Sequence, residues 1–185
     1  LDGDTGLVLK QATLPTGPTP AIDANFKHLT IAPDGTLILK DQTRPSGCKL
    51  QGTMALIQCN EPGMKQGNSN VVAVHPDTLE VLDSIALPEP ATVPHVITVF
   101  EGRIAIYLGV NSGALRYFWD PQARKLAQDT SWVVKPMKEG QTTSDAPSII
   151  GDWIVLQTNG IGSDTVASSI VAVHQKDPQR TNVIF

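Results

Sequence analysis

Three residues able to gather a metal ion recur at one place in a repeated hairpin. The segments HLTIAPDGTLILKD, HVITVFEGRIAIYLG and PSIIGDWIVLQTNG each read as two short apolar strands around a turn dipeptide. The dipeptides are Asp34 and Gly35, Glu101 and Gly102, and Gly151 and Asp152. Such pairs supply the positive φ that a tight hairpin needs. Seven residues before the second member of each pair stand His28, His95 and Asp145. Two imidazoles and a carboxylate suit copper, zinc or iron, and a ring of equivalent hairpins would bring them together. The competing reading makes His28 and His95 strand-start residues that bond neighbouring backbone groups.

A second kind of hairpin alternates with the first. It reads LDGDTGLVLK, AVHPDTLEVLD, FWDPQARKLA and AVHQKDPQRTNVI: an apolar strand ending in Asp or His, a polar turn, then a short strand. Internal repetition at this scale decides the architecture. One hairpin of each kind makes four antiparallel strands, one blade of a β-propeller whose innermost strand lines the axial channel. Helix signals are nearly absent, so the fold class is all-β. The chain reads as a single partial propeller of about three and a half blades. Residues 1–14 form the outer half of a preceding blade, 21–89 a blade with a cysteine-containing insertion, and 91–138 and 143–185 two more. Such a ring closes at seven or eight blades here, and closure shields the sheet edges. The remaining blades are therefore expected from a longer chain, a second polypeptide or another copy. A chain that starts at Leu1 reads as one shorn of a leader or as a piece of something longer. An open β-sandwich built from the same strands is the alternative.

The first of these hairpins resembles the repeat of quinoprotein-like (PQQ-like) and YVTN-type propellers: two apolar residues and Asp, two variable residues, Thr-Gly, then a short strand. Leu1, Asp2, Gly3, Asp4, Thr5 and Gly6 match it well. Val74 to Thr78 matches with His75 in the Asp slot and Leu79 in place of Gly, while the copies around Trp119–Asp120 and Val173–His174 match in outline. The resemblance implies a propeller scaffold. The alcohol-dehydrogenase branch closes each repeat with Trp, where this chain has about Lys10, Asp83 and Ala127, and it stacks an adjacent Cys-Cys pair on its quinone, which this chain lacks. The resemblance therefore does not extend to PQQ as a cofactor.

Other features fill in the expectation. A formal charge of −4 with scattered Lys and Arg leaves no footprint for nucleic acid, and no apolar run is long enough to span a membrane. Cys48 and Cys59 bound a loop-like stretch; a disulfide there would imply a periplasmic or extracellular location, and a pair of buried thiols is the alternative. His75 and His174 read as turn formers bonding their own backbone. Asp2, Asp4 and Asp77 lack the regular oxygen spacing of a strong calcium loop, and Ser148 lacks a nucleophile-elbow context. Lys65, Lys138 and Arg103 could face an anionic ligand or simply be solvated, and Trp119, Trp132 and Trp153 are expected to pack between blades. Three functions follow as expectations. The first is a periplasmic or secreted metalloprotein, an oxidoreductase with copper, then iron, in the channel beside a small-molecule ligand, its protons handled by a carboxylate or Lys. The second is a non-catalytic scaffold binding protein or carbohydrate, and the third a calcium-dependent, lactonase-like hydrolase.

Overall fold

The computed structural model describes residues 4–12, 23–44, 70–88, 95–110, 113–135, 141–143, 147–160 and 168–184. Cys48, Cys59, Lys65, Lys138 and Asp145 lie outside them, as does Asp2. The expected all-β class is found: the described residues form strands and turns, and none is helical. No helix long and apolar enough to cross a membrane occurs among them.

Three antiparallel sheets follow one another along the chain. The first holds β1 (Asp23–Ile31), β2 (Leu37–Arg44), β3 (Asn70–Val74) and β4 (Val81–Ala86) in that order. The second holds β5 (His95–Phe100), β6 (Arg103–Val110), β7 (Gly113–Asp120) and β8 (Lys125–Val134). The third runs β10 (Ser148–Ile150), β11 (Trp153–Gly160), β12 (Ser169–His174) and β13 (Thr181–Val183), and the short β9 (Gln141–Thr143) also pairs with β11. Apart from β9, the strands of each sheet pair in sequence order, as turn dipeptides between apolar runs dictate.

The second sheet is the middle layer. From Ile104 to Val110 every residue of β6 is buried, which requires cover on both faces. Alternation sorts the side chains. Ile104, Ile106, Leu108, Tyr117 and Trp119 pack with Ile38, Val71 and Ala73 of the first sheet. Ala105, Tyr107, Phe118 and Trp132 pack with Ile154, Leu156, Val171 and Val173 of the third. The sheets thus stack face to face in chain order.

The turns of the second hairpin repeat in atomic detail. Asp120 Oδ1 accepts from the Gln122 and Ala123 amides at 2.9 and 3.0 Å. His75 Nδ1 does the same for Asp77 and Thr78 at 3.2 and 3.3 Å, and His174 Nδ1 accepts from Lys176 at 3.1 Å. The two histidines therefore serve as turn formers. The glycine of the repeat has a physical basis too: Gly6 sits at φ 68°, and the residues in its place, Leu79 and Arg124, hold φ 59° and 51°. A left-handed backbone costs a residue with a Cβ about 1–2 kcal/mol. Leu79→Gly and Arg124→Gly should each stabilise the protein by about 0.5–1 kcal/mol after the greater unfolded-state freedom of glycine is subtracted. Urea denaturation checks this; a loss of stability would show that these side chains contribute packing that outweighs the strain.

Candidate functional site

Counting from the turns equates His28 with His95, but the hydrogen-bond ladders do not. Leu37 pairs with Val74, just before His75, and Ile104 pairs with Trp119, just before Asp120, so Leu37 and Ile104 are equivalent. Three residues on, Lys40 pairs with His28, whereas Tyr107 pairs with Val96 and Leu108 with His95. His28 thus corresponds to Val96. The reason is turn length: the first hairpin closes through residues 32–36 and the second through Glu101 and Gly102 alone, so a count from the turn slips. A slip of one residue changes the face of the sheet.

His95 belongs to the interface between the first and second sheets. His28 lies in register with Lys40, two residues from Ile38, which faces the second sheet. His95 lies opposite Leu108 and two residues before Ile97, both of which face the first sheet. The strands that carry them, β1 and β5, lie against one another. His95 is 5% exposed, and Lys40, opposite Val71 in the first sheet, is 1% exposed. Lys40 was not legible as a site residue; its signal is a charge closing the apolar run TLIL. Among the described residues no three His, Cys, Asp or Glu side chains form a metal-binding group.

The same interface buries Tyr117, whose hydroxyl has no hydrogen-bond partner among the described residues. Burial pushes its phenol up to about 12. Tyr107 on the opposite face is also raised by burial, with the Arg116 guanidinium opposing the shift. Its hydroxyl donates to Gln175 Oε1 at 3.0 Å and accepts from Arg116 at 3.2 Å. Tyr107→Phe should therefore cost about 1–2 kcal/mol by orphaning partners, while Tyr117→Phe should be neutral or stabilising. Parallel urea melts test this, and equal losses would show that the Tyr117 hydroxyl is in fact satisfied.

Polar side chains latch the sheets at the turn ends. Trp119 Nε1 donates to Asp34 Oδ2 at 3.0 Å, and Asp83 accepts from the Leu126 amide at 2.8 Å and from Lys125 Nζ at 3.1 Å. Burial pushes both carboxyls up, but these hydrogen bonds outweigh it, with those from Thr36 adding to Asp34, and both end below the ordinary range. Between the second and third sheets, Arg116 Nη1 donates to the Gln175 carbonyl at 2.6 Å and Trp132 Nε1 to the His174 carbonyl at 3.1 Å. Trp119 and Trp132 are the inter-sheet packers the sequence suggested. Trp153 differs: it is half-buried on the outer face of the third sheet, edge-on to His174 and beneath Arg180. Arg103 is exposed and stacks on Phe118, its guanidinium carbon 3.4 Å from the ring centroid.

No protein-family model matches the chain, and neither a curated protein nor a solved structure shows detectable similarity to it.

Proposed function

We propose that the chain is part of a β-propeller metalloprotein, each four-stranded sheet a blade, working as an oxidoreductase in the periplasm or outside the cell. The scaffold reading is supported by three sheets of one strand order stacked in sequence, with the same end latched at both interfaces. The site reading is supported by one observation: β1, on which His28 lies in backbone register with Lys40, packs against β5, which opens with the buried His95. Imidazoles from neighbouring blades suit copper first and iron second, with Asp145 as the further ligand to test. A bound metal would supply the redox step. Lys40, in register with His28, is the amine able to carry a proton or orient an anionic ligand beside it.

Metal analysis of the purified protein, after copper reconstitution, tests the reading. One equivalent is expected, and the double variant His28→Ala with His95→Ala should lose it while keeping its circular dichroism spectrum. Unchanged copper binding in the double variant, or no stoichiometric transition metal in the parent, would overturn the site. Melting that responds to calcium alone would replace it with the hydrolase reading.

A further inference from the structure

The two interfaces that stack the sheets are latched by different chemistry. Among the described residues, three hydrogen bonds tie the turn ends of the first and second sheets, and a carboxylate accepts each. Asp34 Oδ2 accepts from Trp119 Nε1 at 3.0 Å, and Asp83 accepts from the Leu126 amide at 2.8 Å and from Lys125 Nζ at 3.1 Å. Between the second and third sheets the acceptors are backbone carbonyls and a side-chain amide oxygen. Arg116 and Trp132 donate to the Gln175 and His174 carbonyls, Thr143 Oγ1 to the Gly113 carbonyl, and the Tyr107 hydroxyl to Gln175 Oε1. Lys176 and Glu101 add an ion pair there, but both are more than half exposed, where such pairs contribute little.

Acid acts unequally on these two interfaces. The groups facing Asp34 are the Thr36 amide and hydroxyl and the Trp119 indole. Those facing Asp83 are the Leu126 and Ser84 amides and the Lys125 ammonium. Amides, indole and ammonium only donate, so a proton added to either carboxyl competes with donors already in place, and at Asp83 it cancels the ion pair. Carbonyl and amide oxygens do not titrate. The half-buried Asp129 bonds Arg116 within the second sheet, and Arg116 still reaches the Gln175 carbonyl once Asp129 is protonated. The imidazoles of His75 and His174 bond their own turns, one in the first sheet and one in the third, so their charge does not tell the interfaces apart.

We infer that the first interface is an acid-sensitive joint: protonation of Asp34 and Asp83 frees the turn end of the first sheet from the second, while the second and third sheets stay docked. Burial raises both carboxyls, but their hydrogen bonds outweigh it, and both lie below the ordinary carboxylate value. A carboxyl lowered in this way stabilises the docked state in full above that ordinary value, and the contribution is lost as pH falls through the lowered one. The joint therefore holds at neutral pH and loosens in acid below about pH 4. β1 and β5 also meet across this interface, so the joint governs how closely the first strands of the two sheets approach. No metal is needed for the response.

Each interface carries its own reporter. Trp119 is 2% exposed and Leu126 6%, and their indole and amide protons are the ones the two carboxylates hold; Trp132, at 0%, reports on the other interface. Hydrogen exchange of these protons, followed by NMR on metal-free protein and referred to free indole and amide at the same pH, tests the joint. Between pH 6 and pH 3 the protection of Trp119 and Leu126 should fall about tenfold or more, and that of Trp132 about twofold or less. Asp34→Asn with Asp83→Asn should show the loosened Trp119 and Leu126 already at pH 6, with no further fall to pH 3. If Trp132 shows that the double variant does not fold, the single variants decide: Asp34→Asn should loosen Trp119 at pH 6, and Asp83→Asn should loosen Leu126. Protection of Trp119 and Leu126 that persists at pH 3 would overturn the joint, as would an equal fall at Trp132 or a pH response that survives both substitutions. Because copper is absent throughout, the result stands apart from that of the copper reconstitution.

Discussion

Arg116→Met should destabilise the protein by about 3–5 kcal/mol, the usual penalty for removing one member of a buried ion pair. Arg116 stands mid-strand in β7 and is 5% exposed. Its Nε and Nη2 donate to Asp129 Oδ2 at 2.8 and 2.6 Å, and Nη1 donates to the Gln175 carbonyl of the third sheet at 2.6 Å. Its guanidinium carbon is 4.4 to 5.7 Å from the ring centroids of Phe100, Phe118, Trp132 and Tyr107. Burial pushes the Asp129 carboxyl up, but the Ser131 hydroxyl and Arg116 outweigh it and hold it low. Loss of the arginine leaves that half-buried carboxylate charged with only its Ser131 donors, and strips a carbonyl of its donor across the sheet interface. The double variant Arg116→Met with Asp129→Leu should regain much of the loss, because both charges are then gone. Urea denaturation of the four proteins in a double-mutant cycle measures this coupling. A single-variant loss under about 1 kcal/mol would show that the network contributes specificity without stability.

Gly113→Ala should cost more than about 3 kcal/mol, through two independent conflicts. The glycine opens β7 at φ 139°, a region that side chains rarely enter, and an added Cβ would come within 1.8 Å of the Val134 carbonyl oxygen on β8. Neither neighbour can give way easily. Ala114 pairs with Val134 in the ladder, and the Gly113 carbonyl accepts from Thr143 Oγ1 at 2.6 Å. Gly151→Ala provides the control: its φ is 56°, but an added Cβ meets nothing within 4 Å, so only the backbone term of about 1 kcal/mol applies. Thermal melts of both variants separate crowding from strain. Equal losses would mean that the β7–β8 ladder relaxes around the new methyl.

The comparison of these sites shows where sequence reading reaches and where it stops. The turn roles of His75 and His174 were legible because an Asx-type turn is a local device: acceptor and donors lie two or three residues apart. Arg116 was not singled out, although a charge inside the apolar run GALRYFW was a signal that it needed a buried partner. The partner's identity was out of reach, since the Gln175 carbonyl is 59 residues away in the chain.

The candidate site divides along the same line. Short apolar runs, turn dipeptides and their repetition determined, from sequence alone, that the chain forms antiparallel four-stranded sheets. Local hydrogen bonding and side-chain alternation suffice for that. Only the tertiary structure decided that His28 and His95 do not occupy equivalent places in their hairpins, His28 corresponding in register to Val96. Face depends on cross-strand register, register depends on the length of each turn, and a count along the chain cannot see a turn that is longer in one hairpin than in the next.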